Sequence, residues 1–279
     1  MPNVQSRIKG SKFGVGLTRF AGGFDGLRAL NQQTYDDVRK DSFSPEAIRG
    51  SDRGYAAFHA KRFAYLLDEL EQIAIDSRTR VLDIGPSRLT ELIRAKFDIQ
   101  VDSLGFDEDS NSAGGNHYQF DLNNAQNEKT WRRGLPEYDV VVMAEVIEHL
   151  HTAPELVLAF VRTLIAPDGW LIIQTPNAAA LPKRIKLLLG QNPYEMIRTQ
   201  TSNPGHFREY TLPELRRIVS EAGFNVVRTD VRWYFDGRFA HHGEKPRYQP
   251  IVGRMKNLFY RMLPGTWQYG ITLLAQRRA

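Results

Sequence analysis

Cysteine is absent from this 279-residue chain, which excludes disulfides, thiolate metal sites and a cysteine nucleophile. Long apolar runs are absent too, and no segment approaches the roughly 20 residues that a membrane-spanning helix needs. The opening stretch MPNVQSRIKGSKFGVGLTRF lacks the continuous apolar core of a signal peptide. Internal repeats and low-complexity tracts are missing as well. Charge of one sign is scarce: 37 basic side chains face 32 acidic ones, for a net +5. That surplus is too small and too dispersed to dictate an anionic partner. The expected location is the cytoplasm, with peripheral contact at the inner face of a membrane left open.

What is present is enough apolar residue, 42% of the chain, to bury one full-sized core. From about residue 79 onward, short apolar runs alternate with amphipathic stretches, the pattern of an α/β sheet layered by helices. The strand candidates are RVLDIG (80–85), IQVDSLGF (99–106), HYQFDL (117–122), YDVVVMAE (138–145) and GWLIIQT (169–175), with a later pair in FNVVRTDVRWY (224–234) and QYGITLLAQ (268–276). Two helix starts are legible. TAPE (152–155) and TLPE (211–214) each place Thr at an N-cap, Pro in the first turn and Glu where a capping box wants it, and Gly223 suits the stop of the second helix. Earlier, Phe58, Phe63, Leu66, Leu67 and Leu70 recur at helical spacing. The expected division is a helical cap on the substrate side at 1–77 and a ligand-binding α/β domain at 78–279. GRFAHHGEKPRYQP (237–250) reads as a long surface loop, with no role assigned to His241 or His242.

Three strand tips carry chemistry. VLDIGPS (81–87) ends a buried strand at Asp83 and Gly85 and runs straight into a helix, which lets a ligand approach backbone amides at the carboxyl edge of the sheet. Asp107 stands just past the second strand, where a carboxylate can accept the two hydroxyls of a ribose. Asp121 ends the third. Acids at three successive strand ends favour a nucleoside ligand.

On these residues the chain resembles the class I S-adenosylmethionine-dependent methyltransferases. VLDIGPS resembles their first motif, GFD their ribose-binding acid, FDL the turn beside the adenine and DVVVMAEVIEHL their fourth-strand motif. GWLIIQTPN and HFREYTLPELRRIVSEAGF look like the fifth strand and following helix of the branch that holds the ubiquinone-pathway and many sugar O-methyltransferases. The resemblance implies a Rossmann-like sheet of about seven mostly parallel strands with helices on both faces. It also implies that Asp83, Gly85, Pro86, Ser87, Asp107, Asp121, Leu122, Ala144 and Glu145 contact S-adenosylmethionine. Where the family's first motif carries further glycines, Pro86 and Ser87 stand here; proline removes an amide donor, and the Ser87 hydroxyl can replace one.

AEVIEHLH (144–151) concentrates carboxylates and imidazoles. Glu145, Glu148 and His149 lie at i, i+3 and i+4, which a helical turn would put on one face, and His206 in PGHFREY follows the fifth strand, next to the fourth. Methyl transfer to a hydroxyl needs a base or a Lewis-acidic metal at the oxygen. Two readings stand: Glu145, Glu148, His149 and His206 holding Mg2+ or Mn2+, or His149 or His206 acting as a general base with Glu148 beside it. The four-residue set is similar to the metal ligands of small-RNA 3′-terminal 2′-O-methyltransferases. His151 is expected to point away from this group.

The segment 176–206 is longer than a connection requires and reads as a lid or insertion. Its core, LPKRIKLLLG (181–190), sets Ile185, Leu187, Leu188 and Leu189 beside Lys183, Arg184 and Lys186, a composition that also suits an anionic bilayer. Nucleic acid is disfavoured as a partner, because basic residues are not gathered into a stripe interleaved with aromatics. The expectation is an O-methyltransferase acting on a sugar, glycolipid or related small molecule, with oligomerisation open. An RNA 2′-O-methyltransferase and a catalytically silent S-adenosylmethionine-binding module are the alternatives.

Overall fold

The structure, a computed structural model, describes residues 31–42, 52–106, 114–200, 204–235 and 250–278. Asp107, His241, His242 and most of the 237–250 segment lie outside the described residues. Seven strands form one sheet: β1 (Val81–Ile84), β2 (Val101–Gly105), β3 (His117–Gln119), β4 (Tyr138–Ala144), β5 (Ile165–Pro176), β6 (Phe224–Arg232) and β7 (Gly270–Arg277). Their order is β3-β2-β1-β4-β5-β7-β6. All pairings are parallel except those of β7, which runs antiparallel between β5 and β6. This is the Rossmann-like arrangement expected of the sequence, and each strand candidate contains or overlaps one observed strand.

The helices α1 (Gln32–Ser42), α2 (Asp52–Gln72), α3 (Arg88–Phe97), α4 (Pro154–Thr163), α5 (Leu181–Leu188), α6 (Leu212–Glu221) and α7 (Pro250–Met262) complete the described elements, with short 3₁₀ turns between them. The inner strands are mainly apolar because both faces are covered. On one face Leu82, Ile84, Val141, Met143, Leu171 and Ile173 pack against α4 and α6. On the other, Val81, Val101, Val140, Val142 and Ile172 meet Phe63, Leu66, Leu67 and Leu70 of α2 and Leu89, Leu92 and Ile93 of α3. The helix expected from the spacing of Phe63, Leu66, Leu67 and Leu70 thus shares its core with the sheet.

Strand alternation decides where Asp83 points. Leu82 and Ile84 enter the α4/α6 core, so Asp83 faces α2 and α3.

The two expected caps have different outcomes. Thr211 and Glu214 form the capping box of α6, and Gly223, at φ +89°, follows its C-terminal cap. Thr152 does not cap α4. The cap position is Ala153 with no side-chain bond, because the Thr152 hydroxyl donates instead to the Asn123 carbonyl at 2.7 Å. A partner from a distant turn outcompeted the local one.

Candidate active site

The turn after β1 sets one side of the site. Gly85 takes φ +76°, and a β-carbon there would lie 2.6 Å from Cγ2 of Val146; only glycine fits this approach of two strand ends. Ser87 is the N-cap of α3, and its hydroxyl accepts from the Leu89 amide at 3.2 Å. That bond uses the serine oxygen only as an acceptor, and its O–H proton is still available to stand in for a missing glycine amide. Asp83 is buried and accepts from the Thr90 hydroxyl at 2.6 Å. Burial pushes its carboxyl up to about 7, against the pull of that hydrogen bond and of the Arg62 guanidinium. Asp121 caps the 3₁₀ turn Leu122–Gln126, accepting from the Asn123 amide at 2.9 Å, while Leu122 is buried.

The turn after β4 sets the other side. Ala144 ends the strand, and Glu145 takes a left-handed φ of +58°. The helical turn begins only at Ile147, so the expected single face for Glu145, Glu148 and His149 does not form: Glu145 is turned out of it by its backbone. What gathers the imidazoles is the segment before α6. The Glu148 carbonyl accepts from the Phe207 amide at 2.8 Å, and Gly205, at φ +86°, presents its carbonyl to Nδ1 of His149 at 2.9 Å. The two rings meet edge to face, 4.7 Å between centroids. Glu148, His149 and His206 each place one ligating atom within 4.8 Å of the others. Glu145 is outside this cluster, and His151 is exposed with its ring against Phe207.

Tautomers follow from the partners. A carbonyl only accepts, so Nδ1 of His149 carries the proton and Nε2 keeps its lone pair. Nδ1 of His206 donates to Oε1 of Glu209 at 3.1 Å, with the same result. Burial lowers the basicity of both rings, and the neighbouring His149 helps bring His206 down to about 4. Both imidazoles are neutral near pH 7. Glu148 is fully buried: Oε2 accepts from the Thr175 hydroxyl at 2.9 Å, while Oε1 has no donor among the described residues and stands 4.0 Å from Nε2 of His149. Burial, reinforced by the adjacent Glu145 carboxylate, drives Glu148 well above the ordinary carboxylate range. Two neutral nitrogens and an unsatisfied carboxylate oxygen are a donor set for a divalent cation.

Three contributors had no sequence signal. Arg62 of α2 is buried, and its Nε donates to Nδ1 of His59 at 3.1 Å while Nη1 has no acceptor among the described residues. Its charge acts on Asp83, Glu145 and Glu148 together. Lys183 of α5 is buried, paired with Glu209, and donates to the Asn177 carbonyl at 3.2 Å. Glu209 bridges that lysine to His206. Only their convergence in three dimensions marks them. An orphaned, buried guanidinium nitrogen suits the carboxylate of a methionine moiety, so the residues present fit an S-adenosylmethionine tail.

The chain belongs to the methyltransferase domain family, whose model matches residues 58–229. No curated protein matches it by sequence. Among solved structures it is similar to the magnesium protoporphyrin IX methyltransferase of Synechocystis PCC 6803 with bound SAH, at 13% identity and TM-score 0.50, covering 89% of this chain and 96% of that one. The cyclase SpnF matches at 16% identity and TM-score 0.51 over 88% of this chain and 94% of its own. A SAM-dependent methyltransferase from Archaeoglobus fulgidus matches at 18% identity and TM-score 0.49 over 77% and 94%. With the family and the sheet order in agreement, the chain is an S-adenosylmethionine-dependent methyltransferase.

Proposed function

We propose that the enzyme transfers a methyl group from S-adenosylmethionine to a hydroxyl of a sugar, glycolipid or related small molecule, assisted by Mg2+ or Mn2+ held by Glu148, His149 and His206. The observation that carries this reading is the meeting of those three residues beside the tip of β4. An amine in its neutral form presents a lone pair, whereas a hydroxyl must shed a proton as its oxygen attacks. A site that sets two neutral imidazole nitrogens and a desolvated carboxylate together answers the second need.

Asp83, Gly85, Pro86 and Ser87 would line the donor from the first turn, Asp121, Leu122, Ala144 and Glu145 from the later strand tips, and Asp107 from the end of the second strand. Arg62 would grip its carboxylate. When bound, a divalent cation supplies Lewis acidity that lowers the pKa of the acceptor hydroxyl. Thr175 fixes one oxygen of Glu148, and Gly205 and Glu209 hold the two imidazoles with Nε2 presented. Glu145, whose Oε1 has no donor among the described residues and whose carboxyl is raised by burial, would receive the proton. The 176–206 segment would close over the acceptor.

The test is incubation of the protein with methyl-labelled donor and a panel of hydroxyl and amine acceptors, with and without chelator. Label appearing in a methyl ether, lost in chelator and restored by Mn2+, supports the proposal. Label only on amines, or full turnover in chelator, overturns it.

A further inference from the structure

A soluble protein's surface helix turns its apolar stripe inward and its charges outward. The helix α7 does the reverse. Ile251, Val252, Met255, Leu258, Phe259 and Met262 recur at the i, i+1, i+4, i+7, i+8 and i+11 positions of one face, and all are exposed: Ile251 by 72%, Met255 by 66% and Met262 by 78%. At about 100° per residue these six span one side of the cylinder. The opposite side is what the body holds. The Tyr260 ring stacks on Trp233 at 4.1 Å, the Lys256 ammonium lies over the same indole, and Asn257 accepts from its Nε1 at 2.9 Å. The helix is therefore docked by its mixed face and offers its apolar one to solvent. On the same helical projection, Arg254 and Arg261 fall along one edge of the stripe, and both are exposed.

A second element extends the surface. Past the end of α7, Trp267 is partly exposed and receives the Arg184 guanidinium of α5 at 5.8 Å from its ring centre. The helix α5 and its following residue expose Ile185, Leu187, Leu188 and Leu189, Leu188 by 86%. The buried Lys183 takes no part in this surface, contrary to the grouping expected from sequence; Arg184 and Lys186 are its cations. Neither helix contains an acidic residue, and none occurs between residues 245 and 279.

We propose that α7, with Trp267 and α5, is a seat for an anionic lipid bilayer, the apolar stripe entering the headgroup boundary and Arg254, Arg261, Arg184 and Lys186 pairing with lipid phosphates. Charge complementarity selects this occupant. A second copy of the chain would bring the same cations against these and no carboxylate on α7 to meet them, whereas an anionic surface satisfies both the apolar and the basic parts of the face. No helix among the described residues is long and apolar enough to cross a membrane, so the contact is interfacial. The contact requires neither the metal nor the acceptor proposed above, although α5 also carries Lys183 of the candidate site.

The experiment is cosedimentation of the full chain with vesicles of equal parts phosphatidylglycerol and phosphatidylcholine, against vesicles of phosphatidylcholine alone. The wild type partitions to the anionic vesicles and releases in high salt. Met255→Glu combined with Leu258→Glu lowers the partition at least about tenfold, and Arg254→Gln combined with Arg261→Gln lowers it about fivefold per side chain. Because all four residues are exposed, both variants keep wild-type melting temperature and methyl-donor binding. Equal partition to the two vesicle types, or binding undiminished in the glutamate variant, overturns the proposal. So does a dimer, seen by light scattering, that the glutamate variant dissociates in the absence of any vesicle binding: the face would then belong to a second copy.

Discussion

Glu209 holds His206 by one carboxylate oxygen, 3.1 Å from Nδ1, and pairs with Lys183 through the other. The pairing keeps the histidine proton on the far side of the ring, so the nitrogen that faces Glu148 and His149 is the one with a lone pair. A carboxylate behind a metal-binding imidazole fixes both its tautomer and its aim. Glu209→Gln is expected to weaken Mn2+ binding about 10- to 100-fold with methyl-donor affinity unchanged. Titration calorimetry with each ligand separately checks it, and equal losses for both would assign Glu209 to folding alone.

Anything that binds only the folded state raises its apparent stability by mass action. Saturating Mn2+ is expected to stabilise the wild type by about 3 kcal/mol at a hundred times its dissociation constant, and to leave Glu148→Ala and His206→Ala unmoved. Melting curves with and without the ion read this directly. A shift that survives both substitutions would place the cation elsewhere.

Arg62 offers a buried nitrogen without an acceptor among the described residues. Arg62→Met is expected to weaken S-adenosylmethionine about 10- to 100-fold, the value of a lost charge-assisted hydrogen bond. The decisive comparison is 5′-methylthioadenosine, which lacks the amino acid end. If Arg62 grips the carboxylate, wild type and variant bind that nucleoside alike, and an equal loss on both ligands would contradict it.

Asp83 gives a pH dependence of definite sign. Its carboxyl is raised on folding, to about 7, so the folded chain retains a proton that the unfolded chain releases near pH 4. The stabilisation is complete below the ordinary carboxylate range and is lost as pH rises toward 7. Asp83→Asn still accepts the Thr90 hydroxyl and cannot ionise. It is expected to gain about 1–3 kcal/mol over wild type at pH 8, with the advantage shrinking to nothing near pH 4. Urea unfolding across that range measures it.

Gly85 is constrained twice, by its left-handed backbone and by Val146. Gly85→Ala is expected to cost about 1–3 kcal/mol of stability, with recovery of part of that loss when Val146→Ala is added. An additive double variant would show that the backbone conformation alone is responsible.

How much of this was legible in the chain depends on the distance over which each feature is written. Strands β1, β4 and β5 are nearly continuous apolar runs because both their faces are covered, and such runs show in a few residues. The TLPE cap is equally local and formed as expected, while TAPE lost its threonine to Asn123, about thirty positions away by sequence. Glu148, His149 and His206 were readable as a group, since two share one motif and the third follows the neighbouring strand. Glu145 was not, because its left-handed backbone leaves no trace in residue type. Arg62, Lys183 and Glu209 come from three separate elements and look like ordinary surface charges until the fold buries them.

The antiparallel β7 lies inside the sheet, between β5 and β6. Strand β6 touches the rest of the sheet only through it, so a nascent chain that has already made β5 must hold that edge open until a strand far downstream emerges. Folding of this side is therefore obliged to wait for synthesis to pass Arg277, and a ribosome stalled before that point carries an exposed β5 edge suited to chaperone capture or to misplaced pairing with another strand.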